Sequence, residues 1–241
     1  MKHRIVTALA VLALAAANIG AANAQAAPRS RPATLTVTGT SSVTRAPDRA
    51  TVSFRIESAN DQSAAATAAN NAIVAALNAR MTALHIPSSN VSTSSYALNY
   101  IPRPPKPDPA STQRFGYIVE RTIDVVTDSV DGAGAIVDAG VAAGVTNVNG
   151  ISFSLRDSHA ALRAAQTAAL ADGVAQAHDL AAAAGVKIVR ILAISPSGGS
   201  SPVRPLARMM VAAAAPTTID PGNLTVNASV TIAYEIAPLH P

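Results

Sequence analysis

The sequence predicts an α+β fold, with largely antiparallel sheets packed against Ala-rich helices in the approximate order ββ-α-ββ-α-β-α-ββ. Three observations lead there. Apolar residues alternate with polar ones at Leu35/Val37, Val52/Phe54/Ile56 and Leu224/Val226/Ala228/Val230/Ile232, the period-2 pattern of half-buried strands. Between strand pairs lie Ala-rich segments with apolar residues at helical spacing. The aromatic residues (4 Tyr and 3 Phe) all fall in predicted strands, while the helices supply Ala and Leu. Sheet faces thus carry the large side chains and small-residue helices can lie close against them.

Taken in order, residues 1–24 read as a secretory signal peptide. Lys2, His3 and Arg4 are followed by the apolar stretch Ile5–Ala17 and by Ala22-Asn23-Ala24, with cleavage expected after Ala24. That stretch is shorter than the roughly 20 apolar residues of a membrane span. Without Lys2 and Arg4, 16 basic residues face 14 acidic ones, a balance that gives no case for nucleic-acid binding. The chain has no Cys, which excludes a disulfide framework, thiolate metal ligation and a Cys nucleophile. Residues 25–33 are small, basic and Pro-punctuated, a flexible leader. The folded domain is expected over 34–237, with 238–241 as a tail; two lobes are compatible with it, without a sequence repeat.

The first strand starts at Thr34 and is expected to stop at Gly39; the second, around Val52–Ile56, is expected to pair antiparallel with it across a turn containing Pro47 and Asp48. Asn60 or Asp61 is placed to cap a helix of about six turns whose stripe is Ile73, Leu77, Met81 and Leu84 and which Pro87 ends. Strands near 91–101 and 114–127 flank the Pro-rich stretch 101–109, read as a long hairpin tip. A weaker helix covers about 129–143, and a strand covers 148–155. Asp157 or Ser158 caps the clearest helix, with Leu162, Ala165, Ala169, Ala177, Leu180 and Ala184 on its stripe, Leu170 and Val174 widening it, and Gly185 at its left-handed end. A strand over 186–194, a loop over 195–222 and a last strand over 223–236 complete the chain.

In this setting a set of short pieces resembles the SIMPL-domain family, whose bacterial members include periplasmic oxidative-stress defence proteins and outer-membrane-associated immunogenic proteins. The pieces are Val37-Thr38-Gly39, Ala46-Pro47-Asp48-Arg49-Ala50, Gly116-Tyr117, Gly144 before Asn149-Gly150-Ile151-Ser152-Phe153, Leu180-Ala181 with Gly185, and Ile219-Asp220-Pro221-Gly222. They occur in the family's order over about 35–237. The chain departs at His85-Ile86, where the family usually has Gly before Ile, and at Gln176 and His178, where it often has basic residues. The resemblance implies export, an α+β fold, a tendency to assemble into a homo-oligomer and an association with envelope or oxidative stress. It brings no agreed catalytic residues and no cofactor.

The residues themselves point to little chemistry. Asp157-Ser158-His159 has the residue types of a hydrolase triad, but adjacent side chains at a helix start diverge. No Gly-x-Ser-x-Gly elbow or phosphate loop occurs. His85, His159, His178 and His240 form no local metal pair. Catalytic, cofactor and metal assignments are therefore none. Pro47 and Asp48 are read as a structural turn, because Asp in such a turn bonds backbone amides. Residues 186–219 hold Lys187, Arg190, Arg204 and Arg208 and no acid, followed directly by Met209 and Met210. Arg204, Arg208, Met209 and Met210 are thus a candidate interaction loop for an envelope protein, an anionic membrane surface or another subunit. Met81, Met209 and Met210 offer the mature chain's ready oxidation chemistry.

The expectation is an exported, non-enzymatic envelope protein that assembles or binds partners. The alternative is a ligand-binding protein or enzyme whose site forms only in three dimensions, near Asp48 and Tyr117.

Overall fold

A computed structural model describes residues 32–105, 114–199, 208–210 and 217–239. Two antiparallel sheets organise them. The first has the order β1-β9-β6, made of β1 (Thr34–Arg45), β9 (Leu224–Pro238) and β6 (Val186–Gly199). The second has the order β3-β4-β2-β5, made of β3 (Val91–Ile101), β4 (Gly116–Thr127), β2 (Arg49–Asn60) and β5 (Asn147–Ser154). The helices are α1 (Ser63–Ala83), α2 (Ala133–Ala143) and α3 (Ser158–Ala183). The fold is α+β, as the periodicity predicts.

Helix α3 and the first sheet share one core. Along β9, Leu224, Val226, Ala228, Val230, Ile232 and Tyr234 are buried at every second position. Facing them, α3 buries Ala161, Ala165, Ala169, Gly173, Ala177 and Ala181, one residue in four. These lie on a single inclined i±4n row of a helix surface. Small side chains on that row let the helix settle almost onto the strands. At the closest point Gly39 of β1 meets Gly173: a methyl group added at Gly173 would lie 3.2 Å from Gly39 N, and one added at Gly39 would collide with Ala169 O and Gly173 N. Asp172 pins the same place, accepting from Thr40 N at 2.9 Å and from Gln176 Nε2 at 2.8 Å.

The second sheet has its own core, in which Val52, Phe54 and Ile56 of β2 and Ile123 and Val125 of β4 meet Leu77 and Met81 of α1 and Ile136 and Val137 of α2. Asn70 is fully buried in the middle of α1 and donates Nδ2 to Ile56 O at 3.3 Å, fastening the helix to a strand carbonyl. Arg55 of β2 and Glu120 of β4 form a cross-strand ion pair.

Several sequence expectations need correcting. Gly39 does not end β1; the strand runs on to Arg45, because the glycine serves the helix contact and not a turn. β1 and β2 do not pair. The connection Ala46-Pro47-Asp48 passes from one sheet to the other, since Asp48 N–H donates to Ser154 O at 3.3 Å instead of closing a hairpin. The N-cap of α1 is Gln62, with no side-chain cap; Asn60 Oδ1 instead accepts from Gln62 N, forming an Asx turn just before the helix. Helix α1 ends before Pro87. His85 takes the left-handed position at φ 60°, with His85 N–H donating to Thr82 O and Ile86 N–H to Met81 O. These two bonds are a Schellman ending, so His85 holds the place that Gly usually takes.

On α3, Asp157 caps the start through Ala160 N at 2.8 Å and Gly185 follows the end at φ 66°, both as expected. Leu180 and Ala184, expected on the stripe, are exposed. The close approach favours the smallest residues, so the buried row passes through Gly173 and Ala181. Leu84 is also exposed. Residues 195–222 are not one loop: β6 extends to Gly199, and β7 (Arg208–Met210) pairs antiparallel with β8 (Thr218–Asp220). Phe115 lies just before β4, outside the strand in which it was expected.

Because backbone atoms occupy the space beside Gly39, Gly39→Ala should cost about 3 kcal/mol or more, at or above the usual range for overpacking. Urea unfolding of the two proteins measures it. A change under about 0.5 kcal/mol, the scale of ordinary surface substitutions, would remove the contact from the account.

Candidate functional site

The two sheets are joined by short crossings, and a polar cleft lies among them. Its walls include Pro47 and Asp48 from the β1–β2 connection, Asp128 and Asp131 after β4, and Asp220 and Asn223 before β9, enclosing about 730 Å³. Asp48 also lines a neighbouring cavity of about 320 Å³ with Leu155 and Asp157. A third cavity, of about 550 Å³, has a hydroxyl-rich lining from Thr40, Ser41, Ser42, Ser197 and Ser229.

Local chain direction places each carboxylate of the cleft. Asp48 Oδ1 accepts from Arg156 N at 2.6 Å, so the connection between the sheets is tied to the turn that launches α3. Asp128 Oδ1 accepts from Arg49 Nε at 2.9 Å, and Arg156 Nη1 lies 3.5 Å from Asp128 Oδ2. The Arg49 hydrogen bond, helped by charge and by Arg156, holds the Asp128 carboxyl below the usual carboxylate range. Asp220 Oδ1 accepts from Gly222 N at 3.2 Å, an Asx turn that redirects the chain into β9. Ahead of it, Thr217 donates Oγ1 to Asp138 Oδ1 at 2.7 Å, and Ile219 packs into the core of the second sheet. Segment 217–223 therefore starts on α2 and ends at the first sheet.

Pro47 and Asp48 thus stand at a junction, with the Asp48 carboxylate accepting from one backbone amide, that of Arg156. Tyr117, coupled to Asp48 in the three-dimensional alternative, is elsewhere. It pairs with Asn60, at the far end of β2 from Arg49, so about 11 strand residues, or roughly 36 Å, intervene. Arg208, Met209 and Met210 form β7 and are in register with Asp220, Ile219 and Thr218. Arg204 lies outside the described residues, as do the signal segment and His240. Met81 is buried in the core of the second sheet, which withdraws it from ready oxidation. His159 and His178 are exposed on α3. Among the described residues, no group of three or more His, Cys, Asp or Glu converges to hold a metal ion, and no helix is long and apolar enough to cross a membrane.

Sequence reasoning missed the roles of Arg49, Asp128 and Arg156. Arg49 belongs to the piece Ala46–Ala50 noted in the sequence, so its position was visible while its partner was not.

The family model described as SIMPL, a protein of unknown function (DUF541), matches residues 35–234. The chain is similar to the 26 kDa periplasmic immunogenic protein of Brucella melitensis biotype 1, 29% identical over 217 residues. It is also similar to the protein of the same name from Brucella abortus, 28% identical over 215 residues; in both cases 86% of each chain is covered. Both relatives are named as periplasmic, which supports an envelope location.

The Arg49–Asp128 pair gives the cleft an acid signature. The folded-state pKa of Asp128 lies below its unfolded value of about 3.9, so its contribution is present above that pH and is lost as pH falls through the folded value. Asp128→Asn should therefore lower the melting temperature at pH 7, and the difference from the unsubstituted protein should shrink below about pH 4. Thermal melts across pH check this, and a deficit that stays constant down to pH 2 would exclude a charge-based role. With this geometry and these relatives in hand, the chain belongs to the SIMPL family.

Proposed function

We propose that this is an exported periplasmic protein that acts without catalysis, as a self-assembling or partner-binding component of the cell envelope. The observation that carries the reading is where large apolar side chains remain exposed. Among the described residues, seven of the eleven line two sheet edges: Val189, Ile191, Leu192 and Ile194 on β6, and Tyr96, Leu98 and Tyr100 on β3. Apolar edge strands are surfaces that other chains can cover. The carboxylates Asp48, Asp128 and Asp220, by contrast, already bond nearby groups of the chain, an arrangement suited to a junction.

Export follows in this reading from the segment 1–24, removed after Ala24. Outer-membrane association and a role in envelope or oxidative stress rest on the family resemblance. The basic stretch with Arg204 and Arg208 offers contact with an anionic surface, and Met209 and Met210 offer oxidisable thioethers.

Sedimentation of residues 25–241 over a wide concentration range tests the assembly. A discrete oligomer is expected, and a strict monomer at every concentration would overturn it.

A further inference from the structure

The two sheets end in four edge strands, and they are not equally protected. β1 is rich in Thr and Ser, and one of its backbone amides is occupied by Asp172 of α3. β6 carries Lys187, Arg190 and Pro196 and has three register irregularities. β5 has eight residues, a register irregularity in its pairing and Gly150 at φ 153°. Lysine, proline, bulges and shortness are the devices that keep edges from pairing with other chains. β3 has few of them. Over 11 residues, Val91–Ile101, it contains no charge, no Pro and no Gly. Its one irregularity falls between Thr93 and Ser95, and from Ser95 to Ile101 it runs in unbroken register with β4.

The irregularity also sets which residues share a face. Tyr96, Leu98 and Tyr100 stand opposite Arg121, Val119 and Tyr117 of β4. This is the α1 side of the sheet, since Arg121 Nη2 donates to Asn71 Oδ1 of α1 at 3.0 Å. The helix covers β4 there and leaves β3 bare: Val119 is fully buried, whereas Tyr96, Leu98 and Tyr100 are 47%, 44% and 60% exposed. Their neighbours hold them in place. Tyr96 lies under the Arg121 guanidinium at 4.9 Å, and the Tyr100 and Tyr117 rings are 4.9 Å apart. The result is an apolar ledge along a sheet edge.

We infer that the occupant of this ledge is a second copy of the chain, with β3 pairing antiparallel to β3 about a two-fold axis through Leu98. The inference rests on the self-assembly reading and says where assembly begins. A two-fold interface must be self-complementary. The segment Tyr96-Ala97-Leu98-Asn99-Tyr100 meets that condition, because its large residues are placed symmetrically about Leu98. Antiparallel pairing centred there sets Leu98 against Leu98 of the second copy and Tyr96 against its Tyr100. Aromatic cross-strand pairs of this kind stabilise sheets. The absence of charge in β3 means that pairing like with like brings no repulsion along the strand. Each four-stranded sheet then continues into its twin.

The lack of cysteine allows a direct test. In the Leu98→Cys variant the two introduced thiols meet at the axis, within reach of a disulfide. Mild oxidation should convert most of the protein into a covalent dimer, while Ser92→Cys, off the axis and on the same strand, should give at least tenfold less. Leu98→Lys sets two like charges face to face and should raise the dissociation constant at least tenfold. Leu98 is half exposed, so circular dichroism should show an unchanged fold. If the unsubstituted protein assembles, but Leu98→Lys assembles as tightly and Leu98→Cys cross-links no better than Ser92→Cys, the β3 seam is wrong and assembly uses another surface. If the unsubstituted protein is monomeric at all concentrations, self-assembly itself fails.

Discussion

Gly39 and Gly173 bring a strand backbone and a helix backbone into contact, and the first sheet depends on that short distance. Burying an alanine methyl yields only about 0.8 kcal/mol, so a helix of small residues cannot anchor itself by side-chain bulk. It gains by settling close and meeting the large residues of β9 along its whole length. Val226, Val230, Ile232 and Tyr234 supply the volume, and the row from Ala161 to Ala181 supplies the room. Asp172, bonded to the amide of Thr40, fixes the helix at the same contact. Moving α3 outward by one methyl diameter would weaken that whole core.

Once α3 is seated, the rest of the chain is constrained by short crossings. The helix begins at Asp157, directly after the Arg156 amide that Asp48 accepts. Asp48 in turn sits between the last strand residue of one sheet and the first of the other. Arg49 and Arg156 close on Asp128, so three separate segments meet through one carboxylate. Segment 217–223 makes the return crossing, fastened to α2 by Thr217 and turned into β9 by Asp220. The pieces that carry the family resemblance, Ala46–Ala50 and Ile219–Gly222, supply both of these crossings. Their placement gives the resemblance a physical meaning: those residues set how two sheets join.

Local signals in the sequence were legible because their physics is local. The Asp157 cap, the Gly185 ending and the alternation in β9 each depend on residues a few positions apart. Strand partners were not legible in the same way. Alternation tells which side of a strand is apolar and nothing about its neighbour, so β1 and β2 read as a hairpin although they belong to different sheets. The α3 stripe misled in a different manner. Ranking residues by apolar bulk favours Leu180, whereas a helix packed at backbone contact buries Gly173 and Ala181 and leaves Leu180 outside. In the cleft, Pro47 and Asp48 stood out as a turn, yet Arg49 and Asp128 are 79 residues apart, and no spacing rule connects them. The β3 ledge escaped notice because its significance is what α1 fails to cover.

Native-state hydrogen exchange on residues 25–241 tests most directly whether α3 and the first sheet stand or fall together. Amides of Ala165–Ala177 in α3 and of Val226–Ile232 in β9 should open in one cooperative step, with the same free energy. Rapid exchange throughout α3, with β9 still protected, would contradict it: the helix would then be an accessory to the sheet and not its foundation.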